Sequence, residues 1–106
     1  MKEYFAVVTK QGTTRIRMAD ILYFEKELRR IHVHTADEVY SFYGSFGSLS
    51  ERLDERFCRC HCSFVVNLEK VKGMKRYALN LETGEQLAVS QRFYPHTRLR
   101  YLSLFE

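Results

Sequence analysis

Tryptophan is absent from the 106 residues, and there are only one proline and five glycines. So little proline and glycine beside 45% apolar residues argues against a disordered chain. No apolar stretch approaches the roughly 18 residues that a membrane-crossing helix needs. The opening residues, Met1-Lys2-Glu3-Tyr4, show no apolar run of the kind a secretory leader carries, so a cytoplasmic protein is expected. Cysteine is limited to Cys58, Cys60 and Cys62, an odd number at spacing two and a poor disulfide framework. Alternate residues of a strand lie about 6.5–7 Å apart, at the edge of what a disulfide spans. Reduced thiols in a reducing compartment are expected.

Signatures of catalysis are missing as well. There is no G-x-S-x-G, no phosphate-cradling glycine loop and no cluster of carboxylates. Cys60 and His61 are adjacent, so on a strand they face opposite sides and do not make a nucleophile and base. A zinc site normally joins ligand pairs from two separated places, because a turn must fold them onto one ion. Cys58, Cys60, His61 and Cys62 instead share one extended stretch, no second cysteine pair exists, and His32, His34 and His96 are scattered. No enzyme, no metal and no other cofactor is expected.

What the chain does have is eight Phe and seven Tyr, residues that suit strands. Its length fits one domain, residues 1–106, with a core large enough to fold without disulfides or metal. The net charge of +4 favours a polyanionic partner, either nucleic acid or an anionic membrane surface.

Hydrophobic periodicity predicts a mainly antiparallel β domain. Tyr4 to Lys10 and Thr13 to Arg17 flank a Gln11-Gly12 turn, with Ile16 inward. Met18 to Asp20 is a link. Ile21 to Glu25 is a strand, Lys26 to Arg30 a charged corner, and Ile31 to Thr35 a strand with Ile31 and Val33 on one face and His32 and His34 on the other. Glu38 to Tyr43 follows. Phe57 to Asn67 reads as extended, with Phe64-Val65-Val66 a buried run. Val71 to Tyr77, Ala78 to Leu81 and Gln86 to Ser90 complete the strands, the last two joined by a turn at Glu82 to Glu85. Two short helices are predicted. One spans Gly44 to Leu53, with Phe46, Leu49 and Leu53 at helical spacing, Ser45 or Ser48 as its cap, and Glu51 completing a capping box with Ser48. The other starts at Pro95 and carries Leu99, Leu102 and Phe105 at spacing three.

Basic residues gather at corners: Lys26, Arg29 and Arg30; Arg56, Arg59 and His61; Lys70, Lys72, Lys75 and Arg76; then Arg92, Arg98 and Arg100. An ordinary solvated surface accounts for at least half of them. Their concentration at loops, where contacting side chains are usually carried, favours a binding role for the rest.

Particular strings are more specific. Ile21-Leu22-Tyr23-Phe24-Glu25, Ile31-His32-Val33-His34-Thr35, Phe42-Tyr43-Gly44 and Leu49 to Leu53 resemble the first half of a LytTR domain, the DNA-binding output module of bacterial transcriptional regulators. Phe57 to Asn67 resembles the family's central segment most strongly. Gly84 to Tyr94 is similar to its final hairpin and exit. The resemblance runs from about Thr14 to Leu102. It implies an elongated fold of about ten short strands in small sheets, and DNA binding by loops that enter successive major grooves. It implies base contacts from Arg29 or Arg30, from Cys62 and from Arg92, and phosphate contacts from Arg59 and Ser63. Family members often carry an amide where Cys62 stands, so this thiol is expected to touch a thymine methyl or to contribute nothing.

The resemblance further implies promoter direct repeats as targets, with a second copy bound in tandem. The phospho-acceptor receiver domain that commonly precedes such modules in two-component response regulators is not legible in these residues. The competing expectation is a β-sheet module that binds protein or RNA. RNA recognition stacks bases on exposed sheet aromatics, whereas most aromatics here are expected to be buried.

Overall fold

The hydrophobic run Ile21-Leu22-Tyr23-Phe24 has no polar partner face, and a strand of that kind must be covered on both sides. The computed structural model, which describes residues 2–105, shows how this is done. Ten strands form three antiparallel sheets. β1 (Tyr4–Thr9) and β2 (Gly12–Arg17) make a separate hairpin whose turn closes on Gly12 at φ 146°. The central sheet contains β3 (Ile21–Glu27), β4 (Arg30–Thr35), β5 (Val39–Tyr43), β6 (Phe57–His61) and β7 (Phe64–Asn67), in the order β5-β4-β3-β7-β6. The third sheet is β8 (Val71–Lys75), β9 (Ala78–Leu81) and β10 (Gln86–Ala88), with β9 in the middle. Helix α1 (Phe46–Ser50) follows β5, and α2 (Tyr94–Leu102) follows β10.

The central sheet has a hydrophobic core on each face. On one side Phe24, Ile31, Val33, Phe57 and Val65 meet Phe5, Val7 and Ile16 of the hairpin and Phe46 and Leu49 of α1. On the other, Leu22, Tyr23, Cys58, Cys60 and Val66 meet Leu79, Leu81 and Leu87 of the third sheet and Tyr101 of α2. A register shift between Ile21 and Tyr23 divides the apolar run, sending Ile21 and Phe24 to the first core and Leu22 and Tyr23 to the second. Each such side chain, fully buried, contributes about 1.5–3 kcal/mol. The layers give an elongated body of 40 × 26 × 25 Å.

Several expectations change. The charged corner Lys26 to Arg30 is a two-residue turn, Leu28-Arg29, because β3 runs on to Glu27 and pairs with Arg30. The stretch Phe57 to Asn67 is a hairpin that reverses at Cys62-Ser63. Cys62 therefore leaves the strand face that Cys58 and Cys60 occupy: those two are buried and Cys62 is exposed. The returning strand ends at Ala88, two residues short of Ser90. Helix α1 is only five residues long and is capped by Ser45, whose hydroxyl accepts from the Ser48 amide, so Glu51 closes no capping box. In α2 Pro95 is the second residue. The helix buries Thr97 and Tyr101, while Leu99, Leu102 and Phe105 are exposed.

Candidate nucleic-acid interface

The central sheet is antiparallel throughout, with hairpins β3–β4, β4–β5 and β6–β7, so successive turns lie at opposite ends. One end collects the β3–β4 turn, the end of β5 and the β6–β7 turn. Backbone bonds tie them together: the Lys26 amide donates to Ser63 O at 2.8 Å and the Gly44 amide to Arg29 O at 3.0 Å. The exit from β10 joins the same end, where the Ser90 amide donates to Cys60 O at 3.0 Å. The β8–β9 turn lies beside that exit: β10 ends opposite the start of β9, and the Val89 amide donates to Tyr77 O at 3.0 Å. Tyr77 adopts φ 64° in this turn and stacks edge-on against Tyr94 at 5.3 Å.

Arg29 stands at the tip of the first turn, beside Leu28, which has φ 56° and is 88% exposed. Arg30 begins β4, and its guanidinium lies 5.5 Å from the Tyr43 ring centroid. Cys62 and Ser63 form the second turn. The Ser63 amide donates to His61 Nδ1 at 3.0 Å, which places the ring proton of a neutral His61 on Nε2. Arg59 is exposed on β6, and donates from Nε to His61 O at 3.3 Å and from Nη2 to Cys62 O at 2.9 Å. Arg92 is exposed in the segment leaving β10, with its guanidinium 5.2 Å from the Phe93 ring centroid. Among the described residues no carboxylate pairs with Arg29, Arg30, Arg59 or Arg92.

Acidic groups near this end are engaged elsewhere. Glu27 Oε1 lies 2.9 Å from His32 Nε2, and Glu25 Oε1 lies 2.8 Å from His34 Nε2. Glu85 lies in the β9–β10 turn, at the other end of the third sheet, and accepts from the Tyr23 hydroxyl at 2.7 Å. Burial and then that hydrogen bond push the Tyr23 phenol well above its ordinary range, so it remains a donor.

Other basic residues of the corner clusters do structural work. Arg56 is buried against Asp54, with two bonds of 3.0 and 3.1 Å, and also donates to Lys2 O at 3.0 Å. Arg100 donates to the carbonyls of Glu55 and Phe57. Both leave the candidate interface. Lys75 and Arg76 join it through the β8–β9 turn, and sequence reasoning missed that placement because only the β9–β10 register brings the turn beside the β10 exit. Leu28 was missed too; an apolar residue in a charged corner gave no periodic signal.

The sequence profile described as the LytTr DNA-binding domain matches residues 11–100. The chain belongs to this family. As a LytTr domain it is a DNA-binding module, and the family is not an enzyme class. It is 33% identical over 89 residues to accessory gene regulator protein A of Staphylococcus epidermidis, covering 78% of this chain and 37% of that protein. The same-named protein of Staphylococcus aureus is 38% identical over 69 residues, covering 61% of this chain and 29% of that protein. The LytTr domain thus spans about a third of the length of these relatives. A solved LytTr DNA-binding domain from a Bacillus cereus protein, described as a methyl-accepting/DNA response regulator, superposes with a TM-score of 0.80. That match covers 94% of this chain and 97% of the other at 23% identity, and it bears on the fold. No helix among the described residues is long and apolar enough to cross a membrane.

Proposed function

We propose that residues 1–106 form one domain that binds double-stranded DNA sequence-specifically through this end, as the output module of a cytoplasmic transcriptional regulator. The observation that carries the proposal is the convergence there of Arg29 in the β3–β4 turn, Arg76 in the β8–β9 turn and Arg92 in the β10 exit, which have no acidic partner among the described residues. Arg29 and Arg92 are the base readers, since a guanidinium can donate two bonds to guanine O6 and N7, with discrimination of ~1–3 kcal/mol. Arg30, already stacked on Tyr43, supports Arg29 from the strand. Leu28 and Cys62 offer apolar contact to thymine methyl groups, the thiol behaving as a small hydrophobe. The Ser63 hydroxyl, with no partner among the described residues, and the side chains of Lys75 and Arg76 meet phosphates, which set register without reading sequence. The target is a promoter direct repeat that takes a second copy in tandem.

Selection of bound sequences from random duplex DNA tests this reading, with single-stranded RNA as a competitor. One motif should be enriched, and RNA should compete no better than random duplex. Absence of enrichment, or preferential capture of RNA, would overturn it in favour of a protein- or RNA-interaction module.

A further inference from the structure

Two of the contact segments, the Cys62–Ser63 turn and the Arg92 exit, converge on a side chain that belongs to neither. Arg59 sits within β6, three residues before Cys62 and far in sequence from Arg92. Its guanidinium donates to His61 O and Cys62 O, at 3.3 and 2.9 Å, so one planar fork spans the entry to the β6–β7 turn. The same group lies 5.1 Å from the Phe46 ring centroid and 5.4 Å from that of Phe93. Phe46 opens α1. Phe93 is the N-cap of α2 and the residue immediately after Arg92. The β6 backbone makes a second tie to this helix, because Arg59 O accepts from Thr97 Oγ1 at 3.4 Å, and that hydroxyl also reaches Phe93 O at 2.7 Å. The register shift between Arg59 and His61 occurs on the same residues.

We infer that Arg59 is a positioning residue that couples the Cys62–Ser63 turn to the Arg92 segment, and is not itself a phosphate contact. The inference rests on the reading that these loops bind DNA. A guanidinium suits the task for two reasons: it donates in two directions within one plane, and it stacks on aromatic rings as it does so. An ammonium carries the same charge and reproduces neither property well. Moving the fork to a phosphate would release both turn carbonyls and the contact with Phe93 together. Arg92 and Cys62 would then lose their fixed relation, and base preference in both segments would relax at once.

The charge-conserving substitution separates this role from a phosphate contact. Arg59→Lys, Arg59→Ala and Phe93→Leu are compared with the parent chain. Binding is measured on the selected duplex and on an unrelated duplex across a salt series, and backbone amide spectra are recorded on the free proteins. The expected result is an unchanged salt slope in all three variants. Specific over non-specific binding should fall about tenfold, at the bases read by Cys62 and by Arg92 together. Phe93→Leu removes no charge and should reproduce the loss. In the free Arg59→Lys protein, the amides of Cys62, Ser63 and Arg92 should all shift.

The inference is overturned if Arg59→Ala lowers the salt slope by ~0.9 while Arg59→Lys restores affinity and base preference, because that is a phosphate contact. It is also overturned if Phe93→Leu leaves base preference and the turn amides untouched. Failure of the parent chain to bind duplex in a salt-dependent way would refute the DNA reading alone. The amide spectra of the free proteins would still show whether Arg59 links the two segments.

Discussion

Arg92 leaves the sheet with its charge unanswered. Among the described residues no carboxylate pairs with it, and its guanidinium lies 5.2 Å from the adjacent Phe93 ring centroid, a contact that leaves its nitrogens available. Arg92→Ala should therefore weaken the preferred site by ~1–3 kcal/mol and relax one base position, with little change in melting temperature. Arg92→Lys should restore non-specific binding but not base preference, since lysine lacks the two-pronged fork. A Lys variant with unchanged preference would remove Arg92 from the base readers. The cysteines divide at the same scale. Burial, reinforced by the neighbouring Cys58, pushes the Cys60 thiol up to about 12, and burial raises Cys58 as well, whereas Cys62 is exposed at the turn tip. Thiolates are the nucleophiles, so an alkylating reagent should label Cys62 in the folded protein and reach Cys58 and Cys60 only after denaturation. Equal labelling rates would contradict this packing. The raised thiols also give a sign for alkaline pH: their contribution to stability is full below about 8.5, the unfolded value, and is lost as pH rises towards the folded one.

At the scale of elements, the connection from α1 to β6 depends on a buried ion pair. The Asp54 and Arg56 side chains are 7% and 6% exposed. Burial raises the Asp54 carboxyl, but hydrogen bonds from the Arg56 side chain, from the backbone amides of Arg56 and Lys2, and the guanidinium charge outweigh it, so the group lies below its ordinary value. A lowered carboxylate stabilises the fold above the unfolded value near 3.9, and that contribution is lost as pH falls through the folded value. Asp54→Asn leaves Arg56 buried without its counter-charge and should cost about 3–5 kcal/mol in a denaturation experiment. A loss below about 1 kcal/mol would show that water reaches this pair and screens it.

The same scale shows what was legible in sequence and what was not. Strand patterning marked nine extended stretches, because Val, Ile, Phe and Tyr alternate with polar residues between turn signals; one of them, Phe57 to Asn67, holds both β6 and β7. The hairpin at Cys62-Ser63 was not visible, because it has no Gly, Asn or Pro; the His61 ring and the Arg59 fork hold the reversal instead. The stripe Leu99, Leu102 and Phe105 marked a helix correctly but not its buried side. The opposite side docks because the Thr97 hydroxyl satisfies itself on Phe93 O and Arg59 O, leaving Tyr101 to fill the core. Arg56 and Arg100 stood in the basic corner groups, and the fold gives them carbonyls and a carboxylate instead of solvent. The convergence of Arg29, Cys62 and Arg92 follows from sheet order, which no local pattern encodes.

For the molecule as a whole, the net charge of +4 understates the field at the loop end and overstates it elsewhere. Lys26, Arg29, Arg30, Lys75, Arg76 and Arg92 are exposed near that end, while Glu25 and Glu27 are held by His34 and His32. If roughly 4–8 phosphates are neutralised, log K should fall against log salt at about −0.9 per contact, a total slope of about −4 to −7. The shape then constrains how two copies share one duplex. The body is 40 Å long, and one helical turn of DNA advances ~34–36 Å. With the long axis laid along the duplex, copies on the same face one turn apart would overlap, whereas two turns leave room. The proposed direct repeat sets the two copies head to tail, without a two-fold axis between them. Half-sites in direct orientation about 20–21 base pairs apart are therefore expected, with two copies binding in succession in a gel-shift titration. Inserting about five base pairs between the half-sites moves the second copy to the far side of the helix. That insertion should abolish any cooperativity while leaving each half-site's own affinity intact. Enrichment of an inverted repeat, or indifference to the insertion, would rule out tandem binding on one face.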